Sequence, residues 1–368
     1  MFPTAGPPKF PARAGQSRLG SPAIGGCMKR HVAVWVVALA LGAGFGRAAV
    51  VGQAGDTPEK HIEAAKAAAG TQWAGMFDTL CVQALGRIGN PPAPGAGRGR
   101  GAAGPPPRES YHMEPVKVFD NVYYLGTKEH SAWAITTSEG IILMDAIFDY
   151  NIKDEVIDGL LKVGLNPANV KYAILGHWHG DHAGGAKALQ EFGTKIIMGP
   201  ADWDNIEKQN PSYKPKKDIA STDGMKVTLG DTTVTTYNTP VHTQGTVSSI
   251  FTVKDRGQTH VVAYWGGTMF NWINATGRAT GEYAGKPESY WFTQYAESAA
   301  RFRKIAADAG ADIYMSNHTA FDGTKEALPK LAARKPGDPH PLIVGKESVQ
   351  RYMTLVGECA KAGALRAK

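Results

Sequence analysis

The chain has 368 residues, of which 43% are apolar and 20% charged, a composition typical of a globular protein with some disordered additions. Its formal net charge of +7 is concentrated near the start: residues 1–110 hold 12 Lys and Arg against 5 Asp and Glu, whereas the remaining 258 residues hold 28 of each. Binding to nucleic acid needs a basic face on the folded part, so this neutral block argues against a nucleic-acid partner.

A secretion signal is predicted close to the start of the chain. From Met28, two positive residues are followed by an apolar stretch from Val32 to Leu41 and then by small residues. This order is that of a secretory signal peptide over residues 28–49. The apolar stretch is well short of the roughly 20 residues of a spanning helix, so we expect no stable membrane anchor. The mature protein is expected to begin near residue 49 and to be periplasmic or secreted, with residues 1–27 an upstream extension from a mis-assigned start codon.

An Ala-rich helical arm is predicted next, over residues 50–88, and a linker rich in Pro and Gly over residues 89–110 separates it from a folded domain over residues 111–368. Export permits disulfides. The two cysteines beyond the predicted signal are Cys81 and Cys359, and neither has metal-binding residues near it in sequence. Two interpretations remain open: a disulfide that ties the arm to the C-terminal helix, or two independent buried thiols.

The predicted domain reads as two strand-rich halves that each finish with helices. This order favours an α/β fold in which two sheets pack together and helices cover the outside. The predicted strands are 116–126, 131–138, 140–146, 171–176, 194–199, 225–229, 232–238, 247–253, 260–266 and 312–316. The predicted helices are 151–164, 183–192, 290–309, 323–334 and 347–362, and the segment after residue 199 is predicted as a polar loop.

Three histidines and an aspartate are concentrated in the stretch HWHGDH at residues 177–182, directly after a buried strand. His177 and His179 are two residues apart in an extended segment, so their imidazoles project to the same side. Asp181 and His182 follow the flexible Gly180 at the predicted start of a helix. One short loop can therefore present two ligands to one metal ion and two to its neighbour, and zinc accepts both imidazole nitrogen and carboxylate oxygen.

Two further histidines follow strands later in the chain, His242 and His318. A surface loop that is rich in histidine by chance would not explain them, so we favour a metal centre. The remaining histidines are assigned structural roles. His130, in a turn between two early strands, is the one among them that is a candidate for reaching substrate.

These residues resemble the signature of the metallo-β-lactamase fold family, His-x-His-x-Asp-His followed by two later histidines, over roughly residues 116–334. The resemblance implies a four-layer αββα sandwich that binds two Zn²⁺ ions. By position, the first site would consist of His177, His179 and His242, and the second site of Asp181, His182 and His318. Asp145, at the end of its strand, matches the acidic residue that braces the metal loop.

Within that family the chain is most similar to subclass B3, whose ligands are histidine and aspartate without cysteine. Two departures stand out: Val241 occupies the position of the usual glycine before the third ligand, and the segment 263–272 lacks the serines that B3 enzymes often place there. The resemblance implies that a zinc-held hydroxide attacks the carbonyl of a small-molecule substrate, with Asp181 also orienting the nucleophile and relaying its proton. Weaker candidates for substrate contact, for each of which core packing is the favoured role, are Trp133, Trp265, Asn271 and Trp272.

Three functions compete at this point. The first is a β-lactamase, the second a hydrolase of lactones, thioesters or other esters, and the third a metal-binding or scaffold protein without turnover. Relatives that cleave thioesters or phosphodiesters usually have a bridging aspartate where this chain has Gly267. A site without that carboxylate has more room and less negative charge, which favours an anionic β-lactam over a thioester.

Overall fold

A computed structural model of the protein describes residues 55–90, 104–273 and 281–368. The predicted signal peptide, the upstream extension and most of the predicted linker lie outside the described residues. The strands are β1 Val116–Phe119, β2 Val122–Tyr124, β3 Trp133–Thr137, β4 Gly140–Met144, β5 Val170–Ile174, β6 Lys195–Met198, β7 Ile219–Ala220, β8 Met225–Leu229, β9 Thr232–Asn238, β10 Val247–Asp255, β11 Gln258–Trp265 and β12 Ile313–Ser316. The α-helices are α1 Pro58–Ala69, α2 Ala74–Phe77, α3 Arg108–Tyr111, α4 Asp158–Lys162, α5 Gly180–Ala183, α6 Ala186–Gln190, α7 Pro200–Gln209, α8 Glu288–Asp308, α9 Thr319–Asp322, α10 Thr324–Ala332 and α11 Lys346–Arg366.

The described strands form two sheets. The first has seven strands in the order β1 to β7, antiparallel from β1 to β4 and parallel from β4 to β7. The second has five strands in the order β12-β11-β10-β9-β8 and is antiparallel except for the parallel pair β11 and β12. Both sheets are mixed, as is common for sheets of this size.

Three hydrophobic clusters show how the layers stack. One cluster lies between the two sheets and contains apolar side chains from both. A second covers the outer face of the first sheet with α4, α6 and α7. The third covers the outer face of the second sheet with α8, α11 and the helical arm. The order helix, sheet, sheet, helix confirms the predicted four-layer αββα sandwich.

The arm joins the third cluster through aromatic packing and a covalent bond. Trp73 lies edge-on to Tyr352 of α11, with ring centroids 5.0 Å apart, and its indole nitrogen donates to the hydroxyl of Ser348. A disulfide joins Cys81 to Cys359, so the first of the two interpretations of these cysteines is confirmed. A disulfide of this kind stabilises the folded state by about 2–4 kcal/mol, mainly by restricting the unfolded chain. The division between arm, linker and domain stays a prediction.

The main correction to the predicted elements is α7, which was predicted as a polar loop. Gly199 precedes the helix, Pro200 occupies its first turn, and Trp203 and Ile206 are three residues apart and buried. Proline in the first turn is typical of a helix start, and apolar side chains three residues apart are typical of one helix face. The many polar residues of this segment obscured both signals. The strand β7 was also missed because it has two residues. In the described part of the chain, no helix combines the length and apolar character of a membrane span.

Candidate metal centre

The six candidate ligands lie at one edge of the two sheets because each is in a segment that follows the carboxyl end of a strand there. His177 and His179 are in the segment after β5, and Asp181 and His182 begin α5. His242 is in the connection between β9 and β10, and His318 follows β12. The carboxyl ends of parallel strands meet at one edge, which is where functional side chains gather in α/β proteins.

The first site brings three imidazoles together. One ring nitrogen from each of His177, His179 and His242 lies within 4.8 Å of the others. Nδ1 of His179 and Nε2 of His242 are 3.1 Å apart. Nε2 of His177 is buried and has no hydrogen-bond partner among the described residues. Ligands at about 2.0–2.2 Å from one tetrahedral ion lie roughly 3–4 Å apart, so this nitrogen set fits a zinc ion.

The outward nitrogen of each first-site imidazole already has an acceptor. The acceptors are Gly266 O for His177 at 2.8 Å, Glu282 Oε1 for His179 at 2.8 Å, and Met269 O for His242 at 2.8 Å. A carbonyl or carboxylate can only accept, so these nitrogens carry the protons. The opposite nitrogens therefore present lone pairs to the centre, which is the usual arrangement of histidines that bind a metal.

The second site combines a carboxylate with two imidazoles. Nε2 of His182 lies 3.1 Å from Nε2 of His318 and 3.2 Å from Oδ2 of Asp181. Nε2 of His318 and Oδ2 of Asp181 are 3.6 Å apart. The outward Nδ1 of His182 lies 3.1 Å from Oδ2 of Asp145. Asp145 also accepts from the backbone nitrogen of Gly176, at 2.6 Å, so the predicted bracing contacts are present.

The two sites adjoin one another. The ring centroids of His177 and His182 are 4.2 Å apart, and both residues form a possible metal-binding group with Asp181. His177 and His182 are almost fully buried, whereas the side chains of Asp181 and His318 are 15% and 23% exposed. The buried rings form the floor of the centre, and its rim is open to a ligand from solvent.

Burial and neighbouring charges shift the pKa values of the buried histidines in opposite directions. Burial, with the neighbouring histidines, holds the pKa of His177 well below its usual value and lowers the pKa of His242 to about 3. Burial opposes the charged form of His182 too, but the carboxylates of Asp181 and Asp145 raise its pKa to about 10. His177 and His242 are therefore neutral, whereas the carboxylates beside His182 give the second site the negative charge that attracts a metal cation.

Two carboxylates near the centre were missed by the sequence analysis. Glu282 accepts from His179 and, at 2.8 Å, from the indole nitrogen of Trp178. Asp202, on α7, is fully buried and accepts from the backbone nitrogens of Trp178, at 3.1 Å, and Gly245, at 2.9 Å. It thereby ties the segment of the first two ligands to the segment of the third. Both are far in sequence from the motif, and no spacing rule points to them.

The four weaker candidates for substrate contact divide into two kinds. Trp133 lies in the cluster between the sheets, and Trp265 and Trp272 lie in the cluster under α8 and α11, all at most 1% exposed. They are core residues. Asn271 is exposed, and its amide nitrogen lies 3.1 Å from Nε2 of His242. It is the one of the four that reaches the centre.

Gly267 lies directly against the third ligand. A Cβ at this position would be 2.4 Å from the Cβ of His242. This distance is shorter than real side chains adopt, so the present backbone leaves no room for a side chain there. Gly267 thus lies beside the first site and contributes no carboxylate there.

Comparison with known proteins agrees with this geometry. Residues 125–255 match the sequence profile of the Metallo-beta-lactamase superfamily, a range that contains the candidate ligands other than His318. BJP-1, a subclass B3 metallo-β-lactamase of Bradyrhizobium japonicum, is 28% identical in sequence to this chain, and the two structures superpose with a TM-score of 0.56. The match covers 66% of this chain and 90% of BJP-1. Native FEZ-1 from Legionella gormanii is 21% identical, with a TM-score of 0.53 over 66% and 91% of the two chains. GOB-18 from Elizabethkingia meningoseptica is 24% identical, with a TM-score of 0.50 over 68% and 92%. The last two similarities carry the fold alone.

The fold, the matched profile and the ligand pattern together define the class of protein. The chain is similar to the metallo-β-lactamase superfamily over residues 125–255, and the solved structures that it resembles are mostly subclass B3 enzymes. This fold implies a metallo-hydrolase that acts on small molecules.

Proposed function

We propose that the protein is an exported hydrolase that holds two zinc ions and opens a cyclic amide, in the first place a β-lactam. The observation that carries this proposal is the convergence of six donors in two adjoining sites. In four of the five imidazoles the outward nitrogen already has an oxygen acceptor. An acceptor on the outward nitrogen orients each imidazole and leaves the lone pair of its other nitrogen for a metal. A chance cluster of histidines would not show this arrangement.

Bound zinc lowers the pKa of a coordinated water toward about 7 and polarises a carbonyl, which supplies both nucleophile and electrophile at neutral pH. The residues of the chain hold and aim these components. Asp181 lies where the two sites meet, so its carboxylate is placed both to bind metal and to orient the attacking water and take its proton. Asn271, at the rim beside His242, is placed to donate its amide to a substrate oxygen.

The charge and space of the centre favour an anionic substrate. Asp181 is the one carboxylate among the six donors, so two zinc ions keep most of their positive charge. Gly267 adds no side chain beside His242. An anionic ring amide that must place a carboxylate and a departing nitrogen near the metals therefore suits the centre better than a thioester or phosphodiester.

A substrate panel tests the proposal. Purified protein would be assayed with a chromogenic cephalosporin, a carbapenem, an acyl-homoserine lactone and a glutathione thioester, with metal content measured by mass spectrometry. We expect two zinc ions per chain, the highest kcat/KM on a β-lactam, and loss of turnover after chelation that added zinc restores. The variant His61→Ala, in the helical arm, serves as the matched control and should behave as wild type.

Each alternative predicts a different result in the same panel. Thioester or lactone turnover far above β-lactam turnover would favour the second hydrolase class. Two bound metal ions without turnover of any substrate would favour a metal-binding protein. Full activity in a thoroughly chelated sample would contradict the mechanism altogether. Export is tested by N-terminal sequencing of the periplasmic fraction, where an intact segment from Met28 would contradict cleavage near residue 49.

A further inference from the structure

His130 enters the centre from the turn between β2 and β3. Its backbone forms an isolated antiparallel bridge with His318, and the backbone nitrogen of Ser131 donates to Asn317 O at 3.0 Å. The hydroxyl of Thr127 accepts from the backbone nitrogen of His130 at 2.9 Å. This turn is therefore fixed to the segment that carries the last candidate ligand, and His130 occupies a defined position.

The imidazole of His130 faces the carboxylate of the second site. Its Nε2 lies 3.7 Å from Oδ2 of Asp181, almost the same as the 3.6 Å between that oxygen and Nε2 of His318. Donor atoms of these three residues all lie within 4.8 Å of one another. Donors that share one ion lie roughly 3–4 Å apart, so His130 is placed as a ligand would be.

The rings of the second site approach from different directions. The ring centroids of His130 and His318 are 4.9 Å apart, as are those of His182 and His318, whereas His130 and His182 are 6.3 Å apart. His182 thus comes from the buried floor and His130 from the rim, on either side of His318. Phe148 lies edge-on to the ring of His130, at 4.9 Å, and supports it there.

We propose that His130 is a fourth protein ligand of the second site, which nothing in the signature motif assigns. This inference rests on the proposed binding of two metal ions. Three imidazoles and one carboxylate would hold the second ion, against three imidazoles for the first. Four protein donors complete a tetrahedral zinc site, whereas catalytic zinc keeps an open position. The first ion would then be the more accessible to substrate, and the second would be held by more protein donors.

The other described histidines do not offer the same geometry. His260, near the start of β11, contacts the single carboxylate of Asp312 at 2.7 Å. His260 therefore provides a matched control: a histidine with a carboxylate partner that lies outside the centre. If His130 were only an ion-pair partner of Asp181, its substitution could weaken the second ion but would leave the visible absorption of that ion unchanged.

The test is a Co²⁺ titration of metal-free full-length protein, followed by visible absorption and native mass spectrometry. Two variants are compared with wild type: His130→Gln, which keeps a polar side chain, and His130→Leu, which keeps the packing against Phe148. We expect wild type to bind two ions, and both variants to bind the second at least about tenfold more weakly, since loss of even an outer-shell partner typically costs 10–100-fold. The absorption of the second ion should also change, because one imidazole is lost, and His260→Gln should titrate as wild type.

The outcomes separate this inference from the proposed function. Unchanged absorption of the second ion in both His130 variants, whether or not its affinity falls, would overturn the assignment and leave a two-metal hydrolase intact. Two ions bound by wild type without β-lactam turnover would overturn the substrate proposal and leave His130 as a ligand. A wild-type protein that binds a single ion would overturn both.

Discussion

The first site consists of three imidazoles whose outward nitrogens donate mainly to backbone carbonyls. The second site instead includes the carboxylate of Asp181, and the carboxylate of Asp145 lies behind the imidazole of His182. Burial lowers the pKa of His242 in the first site to about 3, whereas the carboxylates of Asp181 and Asp145 raise the pKa of His182 in the second site to about 10. The first site therefore depends on accurate placement of its imidazoles by the backbone, and the second depends on the charge of its carboxylates. Variants that disturb placement or charge should therefore act on different ions.

The largest effect is expected from removal of a ligand from either site. His177→Ala should remove the first ion and His182→Ala the second. In each variant we expect β-lactam turnover to fall by a factor of about 10³ or more, the upper range for loss of one electrostatic stabiliser. Metal counts by mass spectrometry together with kcat/KM check the prediction, and His61→Ala is the control. A variant that retained two ions and full turnover would contradict the ligand assignment.

A backbone change at Gly267 should act on the first site alone. The Cβ of Gly267→Ala would lie 2.4 Å from the Cβ of His242, so one segment must move and the third ligand is displaced. We expect the first ion to bind about 10–100-fold more weakly, as for loss of a supporting contact, with the second ion unaffected. Co²⁺ titration measures both affinities. Gly86→Ala is the control, because a Cβ there meets no atom within 4 Å, and an equal loss at both sites would argue against independent placement.

A charge change at Asp145 should act on the second site alone. Asp145→Asn keeps the shape of the side chain but removes the charge that holds His182, and the amide can no longer accept from His182, Tyr264 and Gly176 together. We expect a loss of about tenfold or more in affinity for the second ion. The exposed Asp204→Asn provides the control in the same titration. Unchanged binding would mean that charge behind the ligand does not distinguish the two sites.

The smallest effect is expected at Glu282, the one charged partner behind the first site. Glu282→Gln keeps an oxygen acceptor for His179, so only the charge is lost and the ring stays in place. We expect the first ion to bind at most about tenfold more weakly, which is the lower end of the range for loss of such a partner. Glu297→Gln on α8 is the control. A loss as large as that of Asp145→Asn would show that the first site also depends on charge.

Much of the fold followed from local patterns. The strands β4, β5 and β12 were predicted within two residues because a short continuous apolar run bounded by turn residues is typical of a buried strand. The strands β8 and β9 were predicted with the bounds that the structure has. The candidate ligands could be proposed from the sequence because the signature places four of them within six residues. The contacts of Asp202, Glu282 and His130 could not be derived, because they depend on how α7 and the turn after β2 pack against distant loops.

The disulfide has a topological consequence. Cys81 and Cys359 are separated by 278 positions, and all twelve strands and all six candidate ligands lie between them in sequence. The bond therefore closes a covalent ring around the whole sandwich. Cleavage of a single peptide bond anywhere within that ring, the Pro- and Gly-rich segment included, would leave the two fragments joined. A protease would have to cut the ring twice before any piece of it could be released.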